Sequence, residues 1–303
     1  MPERDFVGYA GRAPRVTWPN GARLALSLVV NVEEGAEPSP ADGDPRAESR
    51  AEMPHQPRDG VRDLAIESQY EYGSRAGIWR ILETLREYGA AATFFACGRA
   101  LERNPAGAAA MAAGGHEICS HGYEWREPST MTRDEERQSI ERAVAAIQTT
   151  TGSRPVGWYC RWGPSVNTRE LLVEEGGFLY DSDAYNDDLP YWTEVGGKPF
   201  LVLPYSMDTN DMKFWLGGFT TAETFAEYLR DSFDVLYREG DRQPRMMSVG
   251  IHSRILGRPG RIAALQRFLD YVQRLDGVWI ARRDEIAKHW MAVSPPDRQG
   301  ASA

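Results

Sequence analysis

The sequence predicts an α/β fold, a distorted (β/α) barrel of about seven strands that forms a single domain. Three observations predict it: short apolar runs recur along the chain, helical periodicities separate them, and ionisable side chains follow the runs. The 303 residues, 42% of them apolar, allow either two ordinary domains or one large α/β domain. One domain is favoured, because the chain has no linker-like break in composition and no internal repeat.

Seven apolar runs have the length and composition of buried strands of a parallel sheet. They occupy residues 23–30, 91–97, 117–120, 156–160, 178–180, 200–203 and 246–251, and a shorter run at 278–280 completes the pattern. Because these runs are continuous rather than alternating, both faces of the sheet are expected to be covered by helices.

Amphipathic helices are predicted between the strands. Apolar residues at helical spacing fall within 78–85, 140–147, 225–236 and 262–272. Thr132 and Glu135 form a capping box before the second of these helices. Asn104-Pro105 has the cap and first-turn proline of another helix, which Gly114 closes.

The boundaries follow from this pattern. Residues 1–20 are assigned to an N-terminal extension, residues 21–292 to the catalytic barrel and residues 293–303 to a disordered tail. Within the barrel, residues 35–64 form a polar surface excursion rich in Pro, Asp, Glu and Arg. A loop this long is usually functional, so we expect it to contact another subunit or close over the pocket.

Composition excludes several classes of protein. A net charge of −9 disfavours a nucleic-acid partner, because the phosphate backbone would be repelled. No apolar stretch is long enough to cross a bilayer, so no membrane partner is expected, and the N-terminus lacks a secretory apolar core. Cys97, Cys119 and Cys160 have no metal-type spacing and indicate reduced core thiols of a cytoplasmic protein.

Ionisable and polar side chains collect directly after the predicted strands. They are Glu33, Glu34, His121, Arg161, Asp181, Asp183 and His252, with Asp208, Asn210 and Asp211 shortly after the sixth strand. In a parallel barrel these strand ends open on one face, where active sites form. Taken singly, each residue is more often a solvated acid, a turn cap or a hydrogen-bonded core residue. Their shared position is what indicates a site.

Common catalytic motifs are missing from the sequence. Trp125 stands four residues after His121, so the His-x-x-x-His pair typical of a hydrolytic zinc site is broken. No Gly-x-Ser-x-Gly elbow follows a strand, and no glycine-rich phosphate loop is present. Carboxylates and histidines are therefore the remaining candidates for catalysis.

Several long runs make the chain resemble the polysaccharide deacetylase (NodB-homology) superfamily, and within it the cofactor-independent PuuE-type allantoinases. These runs are residues 71–77, 167–169, 174–183, 187–192, 208–212 and 256–261. The likeness extends from about Gly8 to Trp290. It implies a polysaccharide-deacetylase-like barrel, in agreement with the alternation of strands and helices.

The resemblance also assigns roles by position. The superfamily has two adjacent Asp residues after the first strand, a base and then a metal ligand, where this chain has Glu33 and Glu34. His121 matches one metal-binding histidine, Trp125 replaces the other, and His252 matches a late general acid. The metal triad is therefore broken, as in the metal-independent allantoinases, and no cofactor is expected. A metal held by Glu34 and His121 is the less favoured possibility.

One loop departs from the allantoinase pattern. After the fourth strand those proteins resemble Tyr-x-Gly-Arg-Thr-Ser-Pro-Asn-Thr-Arg, whereas residues 159–169 here are one residue longer and insert Trp162. We expect this loop to contact the substrate, so the ring that is cleaved need not be allantoin.

The functional hypothesis is metal-independent hydrolysis of a non-peptide C–N bond, most simply the opening of a cyclic ureide or imide. Adjacent strand residues point to opposite faces, so one of Glu33 and Glu34 faces the pocket, and Glu34 is favoured as the base. His252 is the candidate acid, because an unperturbed histidine has a pKa of about 6.5. His121 and Arg161 are candidate oxyanion or carbonyl donors.

Substrate binding is assigned to residues around these groups. They are Trp125, Tyr159, Arg161, Trp162, Asp208 and Asn210. Two alternatives stay open: a carbohydrate N-deacetylase that tolerates an altered metal site, and a non-catalytic relative that keeps the pocket only for binding. The expected partner is a small-molecule substrate, and the resemblance implies a homo-oligomer such as a tetramer.

Overall fold

A curled sheet of nine strands forms the centre of the protein in a computed structural model that describes residues 4–296. The strands are β1 (Leu24–Val32), β2 (Thr93–Ala96), β3 (Glu117–Ser120), β4 (Gly157–Trp158), β5 (Tyr180–Asp181), β6 (Tyr191–Val195), β7 (Lys198–Val202), β8 (Arg245–His252) and β9 (Val278–Ile280). The helices are α1 (Leu64–Tyr72), α2 (Ile78–Glu87), α3 (Gly98–Arg103), α4 (Pro105–Ala113), α5 (Arg133–Thr151), α6 (Thr168–Glu175), α7 (Ala222–Glu239), α8 (Pro259–Val272) and α9 (Arg283–Val293).

The strands follow the order β6-β7-β5-β4-β3-β2-β1-β8, and β9 pairs with β1. Every pairing is parallel except that between β6 and β7. The sheet curls into a half-barrel, which confirms the predicted α/β fold with a distorted barrel, although with more strands than predicted. Beyond β8, a single bridge joins Asn210 to Gly250 and brings the segment after β7 beside the end of β8.

The strand β6 is absent from the predicted set. It forms a hairpin with β7 through Gly196 and Gly197, whose φ angles are 58° and 74°. A two-residue turn of this kind needs positive φ at both positions, which glycine adopts without strain. The aromatic and β-branched residues of 191–195 followed by Gly-Gly were therefore a hairpin signal in the sequence.

The strand β1 lies in the middle of the fold, and all nine of its residues are buried. Its alternate residues belong to different layers. Leu24, Leu26 and Leu28 pack in the cluster that includes the helices, whereas Ala25 and Val29 pack with the residues enclosed by the sheet. Odd-numbered residues of β1 therefore point into the half-barrel and even-numbered residues point toward the helices.

The excursion at residues 35–64 is expected to lie on the surface, but part of it packs against the barrel. Ala36, Ala47 and Glu48 are buried, and Asp42 forms ion pairs with Arg99 and Arg103 of α3. The α3 helix is not among the predicted helices. The excursion leads into α1, which continues through a π-helical turn at Gly73–Gly77 into α2.

Both chain ends described by the structure are packed. Trp18 in the N-terminal extension is 1% exposed and donates a 3.0 Å hydrogen bond to the carbonyl of Arg245. The disordered tail predicted from residue 293 begins too early, because Val293 ends α9 and Ser294 is buried, its carbonyl accepting a hydrogen bond from Trp192. Residues 297–303 of that tail lie outside the described residues.

The three cysteines are free and buried, as predicted, and burial raises the pKa of each thiol. Among residues 4–296, no helix combines the length and the apolar character needed to span a membrane.

Candidate active site

The carboxyl ends of the parallel strands bring polar side chains together at one mouth of the half-barrel. Glu33 follows β1, His121 follows β3, Arg161 lies beyond β4 and His252 ends β8. Glu33 and His121 are each 2% exposed and His252 is 6% exposed. The parallel register explains the meeting, because Asn31 of β1 pairs with His252 of β8.

The Glu33 carboxylate is the centre of this group. Its Oε1 lies 3.1 Å from His121 Nε2 and 2.9 Å from Arg161 Nε. Its Oε2 accepts a 2.6 Å hydrogen bond from Arg254 Nη1 and lies 3.9 Å from His252 Nε2. That last distance is too long for a direct hydrogen bond, so a water or a reacting atom can contact both groups.

The electrostatics of the site favour the ionised form of Glu33. Burial alone would raise the pKa of this carboxyl, because the charged form loses its water. The guanidinium charges of Arg161 and Arg254, with the hydrogen bond from His121, outweigh burial and hold the pKa of Glu33 well below its usual range. Glu33 is therefore an anion throughout the neutral range.

The expectation that Glu34 faces the pocket is wrong, because Glu33 faces it. Glu33 continues the odd-numbered, inward-pointing residues of β1, so Glu34 turns outward toward the helices. Its carboxylate accepts hydrogen bonds from the backbone N–H groups of Arg254 and Glu33 at 3.1 and 3.2 Å. It also packs against Gly73, where a Cβ atom would collide with it. Burial raises the pKa of Glu34, and the charge of Glu33 adds to the increase despite Arg254.

His252 is held by Asp211, which is fully buried. Asp211 Oδ1 lies 2.6 Å from His252 Nδ1, and its Oδ2 accepts the backbone N–H groups of His252 and Leu256 at 2.7 and 3.1 Å. A carboxylate only accepts at this position, so Nδ1 carries a hydrogen and Nε2 is the atom left for chemistry. Nε2 is also the atom that faces Glu33.

His121 is held from the opposite side. Its Nδ1 lies 2.7 Å from the carbonyl oxygen of Tyr159, and its ring stacks on the Tyr159 ring at 5.0 Å. Because a carbonyl only accepts, Nδ1 donates there, and the contact of Nε2 with Glu33 needs a second proton on the ring. Burial lowers the pKa of His121, although Glu33 opposes the change. Tyr159 thus supports His121, and its hydroxyl contacts that of Tyr185 at 2.7 Å.

Aromatic rings surround the Arg161 guanidinium. Its central carbon lies 3.6 Å from the ring centroid of Trp125 and 4.0 Å from that of Trp162. Arg50, from the excursion, lies 3.6 Å from the same Trp162 centroid. A guanidinium group that stacks on an indole is stabilised by the ring, and the N–H groups at the edge of the guanidinium stay available for hydrogen bonds. The inserted Trp162 therefore lies beside the site, as the departure in the loop sequence predicts.

Two residues predicted to bind substrate have other partners. Asp208 lies on the outside, with a 58% exposed side chain paired to Lys213 Nζ at 2.7 Å, so its placement in the pocket is wrong. Asn210 is buried, but its amide donates to Tyr205 at 3.1 Å and its Oδ1 accepts the Met212 backbone N–H at 2.8 Å. These bonds leave Asn210 little capacity to bind a ring.

One residue of the site is missing from the predicted set, and another was noted after the sixth strand but given no role. The first is Arg254, which is 2% exposed and follows His252 by two positions. The second is Asp211, next to Asn210 in the polar run beyond β7. Arg254 also lies just after a strand, so its position could have identified it. The burial of Arg254 could not be predicted from the sequence, because an arginine in a loop is usually exposed to solvent.

The site does not fit the metal centre of the superfamily. Trp125 has no ligand atom, Glu34 is turned toward Gly73, and His121 Nε2 is engaged by Glu33. Within the described residues, no group of three or more His, Cys, Asp or Glu side chains is arranged to hold a metal ion. Two guanidiniums at Glu33 also place positive charge where a cation would have to bind.

Comparisons of sequence relate the chain to proteins of the polysaccharide deacetylase family. Residues 61–176 match the family model for polysaccharide deacetylase. A Schizosaccharomyces pombe protein with a polysaccharide deacetylase name is 39% identical over 96% of this chain and 98% of its own length. A Helicobacter pylori peptidoglycan deacetylase is 27% identical over 74% of this chain and 87% of its own length.

Two solved structures superpose over nearly the whole chain. PuuE allantoinase has a TM-score of 0.93 and 48% identity, covering 97% of this chain and 99% of its own. A Pseudomonas aeruginosa PAO1 protein described as a probable polysaccharide deacetylase has a TM-score of 0.92 and 50% identity, covering 96% and 99%. With the half-barrel and its strand-end site, these similarities show that the chain belongs to the polysaccharide deacetylase family, whose members are hydrolases of C–N bonds other than peptide bonds.

Proposed function

We propose that the chain opens the ring of a cyclic ureide or imide by hydrolysis, with Glu33 as general base, His252 as general acid and no metal. The observation that carries the proposal is the 3.9 Å separation of Glu33 Oε2 and His252 Nε2. A base and an acid this close can act on the two ends of one C–N bond. The 48% identity with PuuE allantoinase supports the class of reaction.

The proposed reaction adds one water across the ring bond. Water attacks a ring carbonyl carbon while Glu33 accepts its proton, and the carbonyl oxygen becomes an oxyanion. His252, protonated on both ring nitrogens, then gives its Nε2 proton to the ring nitrogen as the C–N bond breaks, which leaves a carboxylic acid and an N–H group. The proton held by Glu33 then returns to His252 Nε2, which restores both groups. Asp211 keeps the imidazole oriented for this transfer through its 2.6 Å contact with Nδ1.

Fixed donors supply the positive charge that stabilises the oxyanion. Arg161 Nε lies 2.9 Å from Glu33 Oε1, and its terminal N–H groups are the donors proposed for the oxyanion, while His121 holds Oε1 from the other side at 3.1 Å. In a buried site such donors are effective because they are oriented before the reaction and little water competes for them. They replace the Lewis acid that a bound metal would supply elsewhere in the superfamily.

The burial of the site supports a small substrate. Glu33 is 2% exposed, and the nearby Trp125 and Arg161 are 5% and 12% exposed. A polymer chain needs an open groove, which suits this buried group of side chains poorly. A flat ring is smaller and matches the indoles that already stack on guanidinium groups.

A carbohydrate N-deacetylase is the second candidate, because relatives from S. pombe and H. pylori carry polysaccharide and peptidoglycan deacetylase names. That reaction also breaks a C–N bond of an amide. It differs in needing an open groove and, in the superfamily pattern, a metal. The proposed assembly as a homo-oligomer is independent of this choice.

A substrate panel separates the candidates. Allantoin, hydantoin, succinimide and chitin oligomers are incubated in parallel, with and without exhaustive chelation, and ring opening or acetate release is measured. We expect turnover of at least one ring compound at a rate that EDTA does not change. Acetate release from chitin oligomers that is lost with EDTA and restored by zinc would establish the second candidate instead.

A variant ties the activity to this site. His252→Ala should lower kcat by about two to four orders of magnitude, the usual share of general acid–base catalysis. A wild-type rate in a correctly folded His252→Ala protein would remove His252 from the mechanism. A chain that binds these rings but turns over none of the panel would be a binding relative, contrary to the proposal.

A further inference from the structure

We propose that the preferred substrate is an anion, a ring compound that carries a carboxylate, and that Arg161 and Arg50 beside Trp162 bind this carboxylate. The inference rests on the proposed function, since it names the substrate class of the same site. Three observations lead to it: the guanidiniums gathered at the mouth, the donors that have no acceptor, and the backbone of the inserted tryptophan.

The guanidiniums at the mouth come first. Three guanidiniums, those of Arg50, Arg161 and Arg254, lie around the ionised Glu33. Arg254 lies 2.6 Å from Glu33 Oε2 and 3.5 Å from Glu34 Oε1, so it is shared between these two carboxylates. Glu34 and Glu48 are further carboxylates in this region, but neither forms an ion pair with Arg161 or Arg50 among the described residues.

Arg161 has donors to spare. Its one ion contact within residues 4–296 is the 2.9 Å approach of Nε to Glu33, and that approach is not aligned as a hydrogen bond. No hydrogen bond from its terminal N–H groups to a described residue is present. A guanidinium has five N–H donors and matches a carboxylate with two of them.

Arg50 also lacks a carboxylate partner. Its side chain is exposed, forms no ion pair with any described residue and stacks on Trp162. The neighbouring carboxylate of Glu48 instead accepts the backbone N–H of Arg50 at 2.7 Å. Burial and the charge of Arg161 lower the pKa of Arg50, while Glu48, Tyr70 and Glu33 oppose the change. An anion that contacts both guanidiniums would add to this opposing charge.

A third donor lies beside this pair. Trp125 is 5% exposed, and its indole Nε1 is buried without a hydrogen-bond partner among the described residues. Buried donors are rarely left unpaired, since the loss of water costs free energy. Unpartnered donors thus belong to two stacked side chains, Trp125 and Arg161, and a ligand rich in acceptor oxygens is needed to satisfy both.

Trp162 itself is held in an unusual conformation. Its φ is +76°, a left-handed backbone that a bulky side chain adopts only against a steric cost. Such conformations persist mainly where the surrounding structure demands them, often at binding sites. Here the conformation places one indole within 4.0 Å of two guanidinium carbons and so orders both in advance.

The test compares a charged ring with its uncharged parent, hydantoin-5-acetate with hydantoin. We expect kcat/KM to be at least about tenfold higher for the charged ring in low salt, with the preference decreasing as NaCl rises to 1 M. Arg161→Gln and Arg50→Gln should each lower the charged-to-neutral ratio about tenfold or more. The control Arg46→Gln, on the same excursion but paired with Asp59 at 2.7 Å, should keep the wild-type ratio.

Failure of this inference can be told from failure of the proposed function. Turnover of hydantoin with no preference for the charged ring, or an unchanged ratio in folded Arg161→Gln and Arg50→Gln proteins, would overturn the inference alone. Binding is measured separately by quenching of tryptophan fluorescence. Tighter binding of hydantoin-5-acetate than of hydantoin, with no turnover of either, would overturn the proposed hydrolysis and leave the anion site in place.

Discussion

Two of the buried glutamates, Glu33 and Glu117, have different surroundings. At the mouth, Glu33 contacts two guanidiniums and an imidazole. Deeper in the sheet, Glu117 at the start of β3 accepts hydrogen bonds from neutral donors, the Thr93 and Tyr180 hydroxyls at 2.7 and 2.8 Å and the Asp284 backbone N–H at 2.9 Å. Glu33 therefore has cationic neighbours, whereas the neighbours of Glu117 are neutral or anionic.

The arginines of the two regions differ in the same way. Arg283 is fully buried and donates to Ser182 and Ser248 hydroxyls at 3.0 and 2.8 Å, and to two backbone carbonyls at 2.6 and 2.9 Å. Arg161 has Glu33 and two indoles. An arginine whose donors are filled by the protein stabilises the fold, whereas one with unfilled donors is available to a ligand.

The pKa values follow these surroundings. Burial raises the pKa of Glu117 to about 7, and the charge of Asp284 adds to this increase. Burial acts on Glu33 as well, but the two guanidiniums reverse its effect. Burial by itself does not decide the charge of a carboxyl group in this protein; the charge of its neighbours does.

The largest expected effect comes from exchanging each glutamate for its amide. Glu33→Gln should lower kcat about 100- to 10,000-fold, because the amide cannot accept the proton of water. Glu117→Gln should keep kcat near the wild-type value, because Glu117 has no contact with the mouth. Arg254 loses its counter-charge in Glu33→Gln, so kcat is measured well below the unfolding temperature of that variant. Equal losses in both variants would contradict the division between the two regions.

Arg283→Met is expected to change stability and not catalysis. The substitution keeps most of the volume but leaves two hydroxyls and two carbonyls without their donor, which should cost about 3 to 5 kcal/mol of unfolding free energy. Urea denaturation measures this cost. Arg267→Met is the control, since Arg267 forms an exposed ion pair with Glu223 and its loss should cost under about 0.5 kcal/mol. A near-neutral Arg283→Met would show that these hydrogen bonds do not hold the interior together.

The pH dependence of stability should show the raised pKa of Glu117. Its folded-state pKa of about 7 lies above the ordinary 4.5, so the folded protein binds this proton more tightly than the unfolded chain. The contribution is fully present below about pH 4.5 and is lost as the pH rises to about 7, by about 1 to 3 kcal/mol. Denaturation at several pH values should find a weaker slope in Glu117→Gln. An identical slope in the variant would assign the effect to other groups.

The smallest expected effect is at Asp208. Asp208→Asn should change kcat/KM less than about twofold, because its side chain pairs with Lys213 and Tyr228 outside the mouth. Asp211→Asn, three residues later, should lower kcat at least about tenfold, because the His252 imidazole loses the carboxylate that orients it. Similar kcat/KM values for the two variants would contradict the assignment of Asp211 to the site and of Asp208 to the surface.

Much of the fold could be predicted because the strands are buried on both faces and therefore apolar throughout. Every predicted strand has a counterpart in the structure, and the capping box of Thr132 and Glu135 begins α5 as expected. The β6–β7 hairpin was missed although its Gly-Gly turn is visible in the sequence. Its strand β6 is only half-buried and carries polar residues, so it lacks the apolar run used to find the others.

The candidate site could be predicted from the position of its residues at the ends of strands, without knowledge of their contacts. Glu33, His121, Arg161 and His252 meet because parallel strand ends open on one face, and this depends only on the order of strands and helices. The choice between Glu33 and Glu34 failed because it depends on which face of β1 is enclosed. The polar Ser27 and Asn31, at odd positions of an otherwise apolar strand, were a signal that odd residues face the interior.

The amino-acid sequence by itself determined the alternating elements, the reduced cysteines, the missing histidine at Trp125 and the insertion of Trp162, since each is a matter of residue type and spacing. Only the tertiary structure decided that Glu33 faces His252, that Arg254 turns inward and that Arg50 reaches Trp162 from a distant loop. The physical reason is that the charge and direction of a buried group depend on neighbours far away in the chain, which no local pattern records.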